Sequence, residues 1–209
     1  HVDREKETRL SGAHFAARCG DIPQPRLIVN KVTKFLAAVT LLTAVPFAAL
    51  ADHHMSDDVP MYNKMVVASV SDAADKMVQL ANAIPADKYS WTPMEGVSSV
   101  GEVLLHVAGA NYFIANMLGA AVPEGVNPRA LGDSTDKVST ISAYEASVKH
   151  VKKALLAVSE TAAAEEIDMF GNKAPRARLM LVIADHGHEH LGQMIAYARS
   201  NEIVPPWSQ

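Results

Sequence analysis

Apolar residues recur at helical spacing through four stretches of this chain, and no strand-like alternation runs to useful length. The first stretch, from about Val59 to Ile84, carries Met61, Met65, Met77, Leu80 and Ile84, and Pro85 stops it. The second runs from about Ser99 to Ala120, where Ser99 and Glu102, three residues apart, read as a capping box. The third, from about Ser139 to Ala163, bears a stripe of Ile141, Tyr144, Val148, Val151, Leu155 and Val158 in steps of three and four. The fourth begins near Pro175 and ends at about Ser200.

Between the second and third stretches lies an irregular segment, 121–138, rich in Pro, Gly, Asn and Asp. It is long for a connection within a bundle. A segment of about eighteen residues can cross the length of a helix, so the third helix is free to run parallel to the second. The expected fold class is all-α: a four-helix bundle with one long crossover connection between helices 2 and 3.

Composition adds a boundary. Hydrophobic residues make up 49% and charged ones 20%, which marks a globular chain. Near the start, Lys31 and Lys34 precede an apolar run, Phe35 to Leu50, that ends in Ala49-Leu50-Ala51. This is the order of a signal peptide: a positive segment, an apolar segment and a small-residue cleavage site. The run falls short of the roughly 20 apolar residues of a spanning helix, and Pro46 interrupts it. The expected organisation is an upstream segment, 1–28, that is not native to the protein, with translation starting at Val29. A signal peptide, 29–51, follows, and then one bundle domain, 52–209. Export to the periplasm or beyond is the expected localisation, with cleavage near Ala51 and no stable membrane span afterwards. The cut would also expose Asp52-His53-His54, whose third-position imidazole suits a planar Cu(II) or Ni(II) site.

Cleavage removes the single cysteine, Cys19, so the remaining domain has no disulfide, thiolate ligand or cysteine nucleophile. It also removes more basic than acidic residues. The domain that remains is acidic without a basic cluster, which argues against nucleic acid as a partner.

Histidines carry the candidate chemistry. At about 100° per residue, His190 sits about 40° from His186 on the fourth helix, among Leu179, Val182, Gln193 and Tyr197. His188 points about 160° away and is expected in solvent, as is His150 on the third helix. On the second helix His106 groups with Val103, Ala110, Phe113 and Met117. Three imidazoles from two helices are thus expected to face the interior, where each ring nitrogen needs a partner. Two readings follow. The simpler is a set of core histidines satisfied by hydrogen-bond acceptors. The other is a metal ion, which takes one nitrogen of each ring while the second N–H donates outward. A pair at i and i+4 on one helix is a recurrent two-ligand arrangement. Glu102, one turn before His106, would be a further ligand, but its cap role already accounts for it.

The same positions resemble the DinB-like (DinB/YfiT) superfamily. The resemblance rests on Tyr89-Ser90-Trp91-Thr92-Pro93, on Val100-Gly101-Glu102-Val103-Leu104-Leu105-His106-Val107, and on His186-Gly187-His188-Glu189-His190-Leu191-Gly192-Gln193. Jointly these are specific, and they span nearly all of 52–209. The resemblance implies a four-helix bundle of unusual crossover order holding zinc or nickel through His106, His186 and His190. It also implies a low-molecular-weight thiol as partner, because members of the superfamily look like thiol transferases and thiol-dependent isomerases.

Three functions remain open on the sequence: a metal-dependent transferase using a small thiol, a metal-dependent hydrolase, and a non-catalytic exported metal-binding or stress-related module. Gln193, on the site-facing stripe, is a candidate for positioning water or substrate. Glu189, about 60° from His186, is the nearest candidate base. The expected partner is a small molecule, and assembly as a homodimer is left open.

Overall fold

The computed structural model of the chain describes residues 59–132 and 136–209. The upstream segment 1–28, the leader 29–51, its cut at Ala51 and the His53-His54 pair lie outside the described residues. Within them, four long helices form the bundle: α1 (Met61–Ala83), α2 (Val100–Met117), α3 (Lys137–Ala157) and α5 (Arg176–Ser200). A short helix, α4 (Glu160–Ala164), and a hairpin of β1 (Glu166–Met169) with β2 (Asn172–Pro175) link α3 to α5. No helix among the described residues is long and apolar enough to cross a membrane.

Each of the four long helices pairs with two others and stands diagonal to the fourth. α1 packs on α3 and α5, and α2 packs on α3 and α5. Directions follow from specific contacts. The Tyr62 hydroxyl donates to the Ala177 carbonyl at 2.6 Å, joining the first turns of α1 and α5, so these two run parallel. Arg176, at the start of α5, donates to the Met117 carbonyl at the end of α2, so α5 and α2 are antiparallel. The buried Asn111 amide donates to the Ser147 hydroxyl at 3.0 Å, and the starts of α2 and α3 share one apolar cluster, so these two are parallel. The order is up, down, down, up, and the crossover expected between helices 2 and 3 makes it possible.

Two cations secure this topology by capping helix ends. Lys137, at the start of α3, donates to the Asn82 and Ile84 carbonyls (2.7 Å each) at the end of α1, which has no basic residue of its own in its last turn. Arg176 does the same for α2 and α4, through the Met117 and Ala162 carbonyls. Carbonyls of a last helical turn have no partner within the helix and carry partial negative charge, so a cation there satisfies both needs. The buried Asn63 amide takes the Leu155 and Val158 carbonyls at the end of α3.

Three local expectations change. The third helix ends at Ala157, where Val158 turns extended (ψ 119°) and Ser159 caps a new helix through Ala162 N–H. The apolar stripe nonetheless persists, with Tyr144, Val151, Leu155 and Val158 buried. On α1, Met61 and Met65 are exposed; the face that packs is Val66, Val67, Val70, Ala73, Ala74, Met77 and Leu80. The hairpin was not foreseen, because its strands are four residues each and its turn is Phe170-Gly171 in place of the favoured Asn-Gly. Its only trace in the sequence is the alternation of Ile167 and Met169, half-buried, with exposed Glu166 and Asp168.

Candidate metal centre

The Ser99 capping box is formed in full: Glu102 N–H donates to Ser99 Oγ, and Ser99 N–H to the Glu102 carboxylate at 2.6 Å. That cap fixes where α2 starts and hence the direction in which His106 projects, two turns on. α5 supplies His186 and His190 one turn apart. The three ligand atoms offered by His106, His186 and His190 lie within 4.8 Å of one another, and no other group of this kind occurs among the described residues. His106 Nε2 and His186 Nε2 are 3.1 Å apart, and the three ring centroids are 4.5–5.1 Å apart.

The position differs from the expected one. Three interior imidazoles were anticipated, but the buried face of α2 is Val103, Leu104, Val107, Ala108, Asn111, Ile114 and Ala115. His106 is exposed and His186 and His190 are half-buried, so the cluster sits at the outer seam of α2 and α5. His188 is exposed as expected, with Nδ1 2.9 Å from the Ala184 carbonyl. His150 is half-buried where solvent exposure was expected: its ring lies 5.3 Å from that of Tyr112, and its Nε2 is buried.

Desolvation first, and then neighbouring imidazoles, hold two of the rings neutral. Burial depresses His186 to about 4, helped by His190 and His106. His106 is lowered by burial and His190, partly offset by the Glu189 carboxylate. Neutral imidazoles are the form that donates lone pairs to a metal. His186 Nδ1 is buried without a partner among the described residues, and its Nε2 faces only another imidazole nitrogen. A ring so poorly satisfied gains from a cation. The residues present therefore fit a divalent ion, and the triad can hold one.

One chain of hydrogen bonds was missed in the sequence. His190 Nδ1 lies 2.7 Å from Gln193 Oε1, Gln193 Nε2 donates to the Tyr197 hydroxyl at 2.8 Å, and that hydroxyl donates to the Ser98 carbonyl at 3.0 Å. An amide oxygen only accepts, so Nδ1 of His190 carries a proton, and it is the Nε2 lone pair that the neutral ring can offer. Both ends of the Gln193 amide are thus committed to protein partners. The signal available was the spacing of His190, Gln193 and Tyr197 along one helical face. Glu189 is exposed and makes no hydrogen bond or ion pair among the described residues.

Beside His106 opens a cleft of about 750 Å³, walled by α2 and the crossover. Gly109 is what lets the crossover approach. A Cβ built there would stand 2.8 Å from the Pro128 carbonyl oxygen, closer than real contacts allow. A larger groove, about 830 Å³, lies on the opposite side of the bundle between α1 and α3 and holds none of the three histidines.

A family model described as the DinB family matches residues 55–208. The chain belongs to the DinB family. Solved structures agree on the fold. A DinB-like protein from Bacillus subtilis is 22% identical, with a TM-score of 0.56 over 69% of this chain and 97% of that one. A second, from Bacillus cereus, is 17% identical, with a TM-score of 0.60 over 70% and 98%. A mycothiol-dependent maleylpyruvate isomerase is 16% identical, with a TM-score of 0.52; the match covers 66% of this chain and 61% of the isomerase. None of the curated proteins compared matches the chain.

Proposed function

We propose that this DinB-family chain is a metal-dependent transferase whose ion, zinc or nickel, is held by His106, His186 and His190 and whose second reactant is a small thiol. The observation that carries the reading is the convergence of three imidazoles, two of them held neutral, one of which, His106, also lines a cleft. Three protein ligands leave coordination positions open, which distinguishes a working site from a closed structural one. A divalent ion there supplies Lewis acidity and favours the thiolate form of a thiol that reaches it. The protein's own part is to fix the rings, with His190 held by Gln193, and to wall one side with the crossover. Likeness in fold to a mycothiol-dependent isomerase supports a thiol as partner. Export after cleavage at Ala51 belongs to the same proposal and rests on the sequence pattern alone.

The test is elemental analysis of the protein purified from its own host, followed by assay of thiol consumption with a small electrophile such as monobromobimane. One equivalent of metal and turnover that chelator abolishes and zinc or nickel restores are expected. Metal at background level would sink the reading, as would turnover unaffected by His186→Ala. Ester hydrolysis without thiol, lost on Glu189→Gln, would instead establish the hydrolase. Mass spectrometry of the same material tests the leader: any peptide from residues 1–28 refutes a start at Val29.

A further inference from the structure

Two features of the cleft have no part in holding an ion. The first is Arg129. It lies on the crossover and lines the same cleft as His106. Its backbone is set by a tight turn, in which Arg129 N–H donates to Asn127 Oδ1 at 3.2 Å and Ala130 N–H to the Asn127 carbonyl at 3.0 Å. Its guanidinium makes no hydrogen bond or ion pair among the described residues. Nor does any carboxylate line this cleft among the described residues. Arg176, at the start of α5, is by contrast fully engaged with carbonyls and Glu165. A planar guanidinium left free in a concave site is built to take an anion in two parallel hydrogen bonds.

The second feature is an aromatic pair at the rim. Phe113, one helical face with His106, lines the cleft and is 46% exposed. Phe170 stacks on it at 6.3 Å and 21° and is itself 58% exposed. Phe170 sits at φ 57°, in the left-handed region, beside Gly171 at φ 85° in the two-residue turn of the hairpin. Asn or Gly suits that position; a phenyl ring there is strained. The hairpin thus sustains a local backbone cost to carry an aromatic ring against Phe113, half in water.

We propose that the cleft binds a small organic anion, with its carboxylate or equivalent group on Arg129 and its apolar part against the Phe113–Phe170 pair. The position of the ligand relative to the ion rests on the metal-centre reading; the anion site itself does not. His106 lines the same cleft.

Equilibrium binding tests it without reference to turnover. The probes are phenylacetate, 4-phenylbutyrate and 6-phenylhexanoate, each paired with the corresponding neutral primary alcohol, titrated by calorimetry into metal-free and zinc-loaded protein. The acids should bind at least about tenfold more tightly than the alcohols, less so at high salt, because the pair is exposed. Arg129→Gln should erase that preference and leave the alcohols unchanged, and Arg129→Lys should restore part of it. Phe170→Asn should weaken acids and alcohols alike, by roughly threefold, while raising the melting temperature, since Asn suits the turn. Absence of acid preference across all three chain lengths overturns the proposal, as does unchanged affinity in Arg129→Gln. If zinc fails to bind but the Arg129-dependent preference remains, the metal centre falls and the anion site stands. If zinc binds and the preference is absent, the anion site falls alone.

Discussion

Replacing Gln193 with Leu should loosen metal binding without loosening the fold. In the protein His190 Nδ1 donates to Gln193 Oε1 at 2.7 Å, and that bond decides which ring nitrogen keeps its lone pair and where it points. Leu keeps helix propensity and approximate volume on a half-buried position of α5 but offers no acceptor. The ring can then rotate, and its proton can move to the nitrogen that should bind. Loss of a partner of this kind lowers metal affinity by about 10–100-fold, or roughly 1.4–2.7 kcal/mol. Tyr197→Phe acts one bond further out. It retains the buried ring and its edge contact with Trp91 at 5.3 Å, and removes only the hydroxyl that Gln193 Nε2 reaches at 2.8 Å. Its effect should be under about tenfold, because Gln193 keeps its bond to His190 and loses only its own anchor. The expected order of damage is therefore His190→Ala, then Gln193→Leu, then Tyr197→Phe. Competition of each variant with a chromophoric chelator for Zn(II) measures it. A thermal melt with and without metal gives an independent check, because the metal-dependent stabilisation should shrink by the same energy. Wild-type zinc affinity in Gln193→Leu would falsify the reasoning, and so would a larger loss in Tyr197→Phe than in Gln193→Leu.

Alanine at His106, His186 or His190 should abolish stoichiometric metal binding, while His150→Ala and His188→Ala leave it intact; loss of metal in His188→Ala alone would mean that the wrong face of α5 has been assigned. Gly109→Ala should destabilise the fold by about 1–3 kcal/mol, as other overpacked sites do, since its methyl would meet the Pro128 carbonyl at 2.8 Å; a crossover that shifts aside freely would show as an unchanged denaturation midpoint. Metal-free protein should lose stability on acidification. His186 is depressed from the ordinary 6.5 to about 4, so between those values the unfolded chain binds a proton that the folded one refuses. Stability is then full above about pH 6.5 and falls as pH drops towards 4. Melting temperatures across that range should show the slope, and His186→Gln should flatten it.

Helix positions and the identity of the three histidines were legible in the sequence because both are local. A 3.6-residue period, a Ser99–Glu102 cap and an i,i+4 histidine pair are properties of one helix at a time, and they survive without knowledge of neighbours. The length of 121–138 left room for a parallel α2–α3 pair, which only a long connection allows. What the sequence could not decide is which side of each helix is inside. His106 and Phe113 share a stripe with Val103, and periodicity alone assigned all three to the interior. In the folded protein α2 buries a broad arc towards both α3 and α5, and the His106–Phe113 edge is left facing the crossover. The same holds for Met61 and Met65, apolar at helical spacing yet exposed, because none of the described helices covers that side of the first turns of α1. Helix ends, the cleft and the Gln193–Tyr197–Ser98 chain depend on residues far apart in sequence. Lys137 capping α1, Arg176 capping α2 and Pro128 resting on Gly109 exist only once the bundle has closed. The sequence by itself determined which side chains have the chemistry to bind a metal; the tertiary structure decided that they meet at a solvent-facing seam and not in the core.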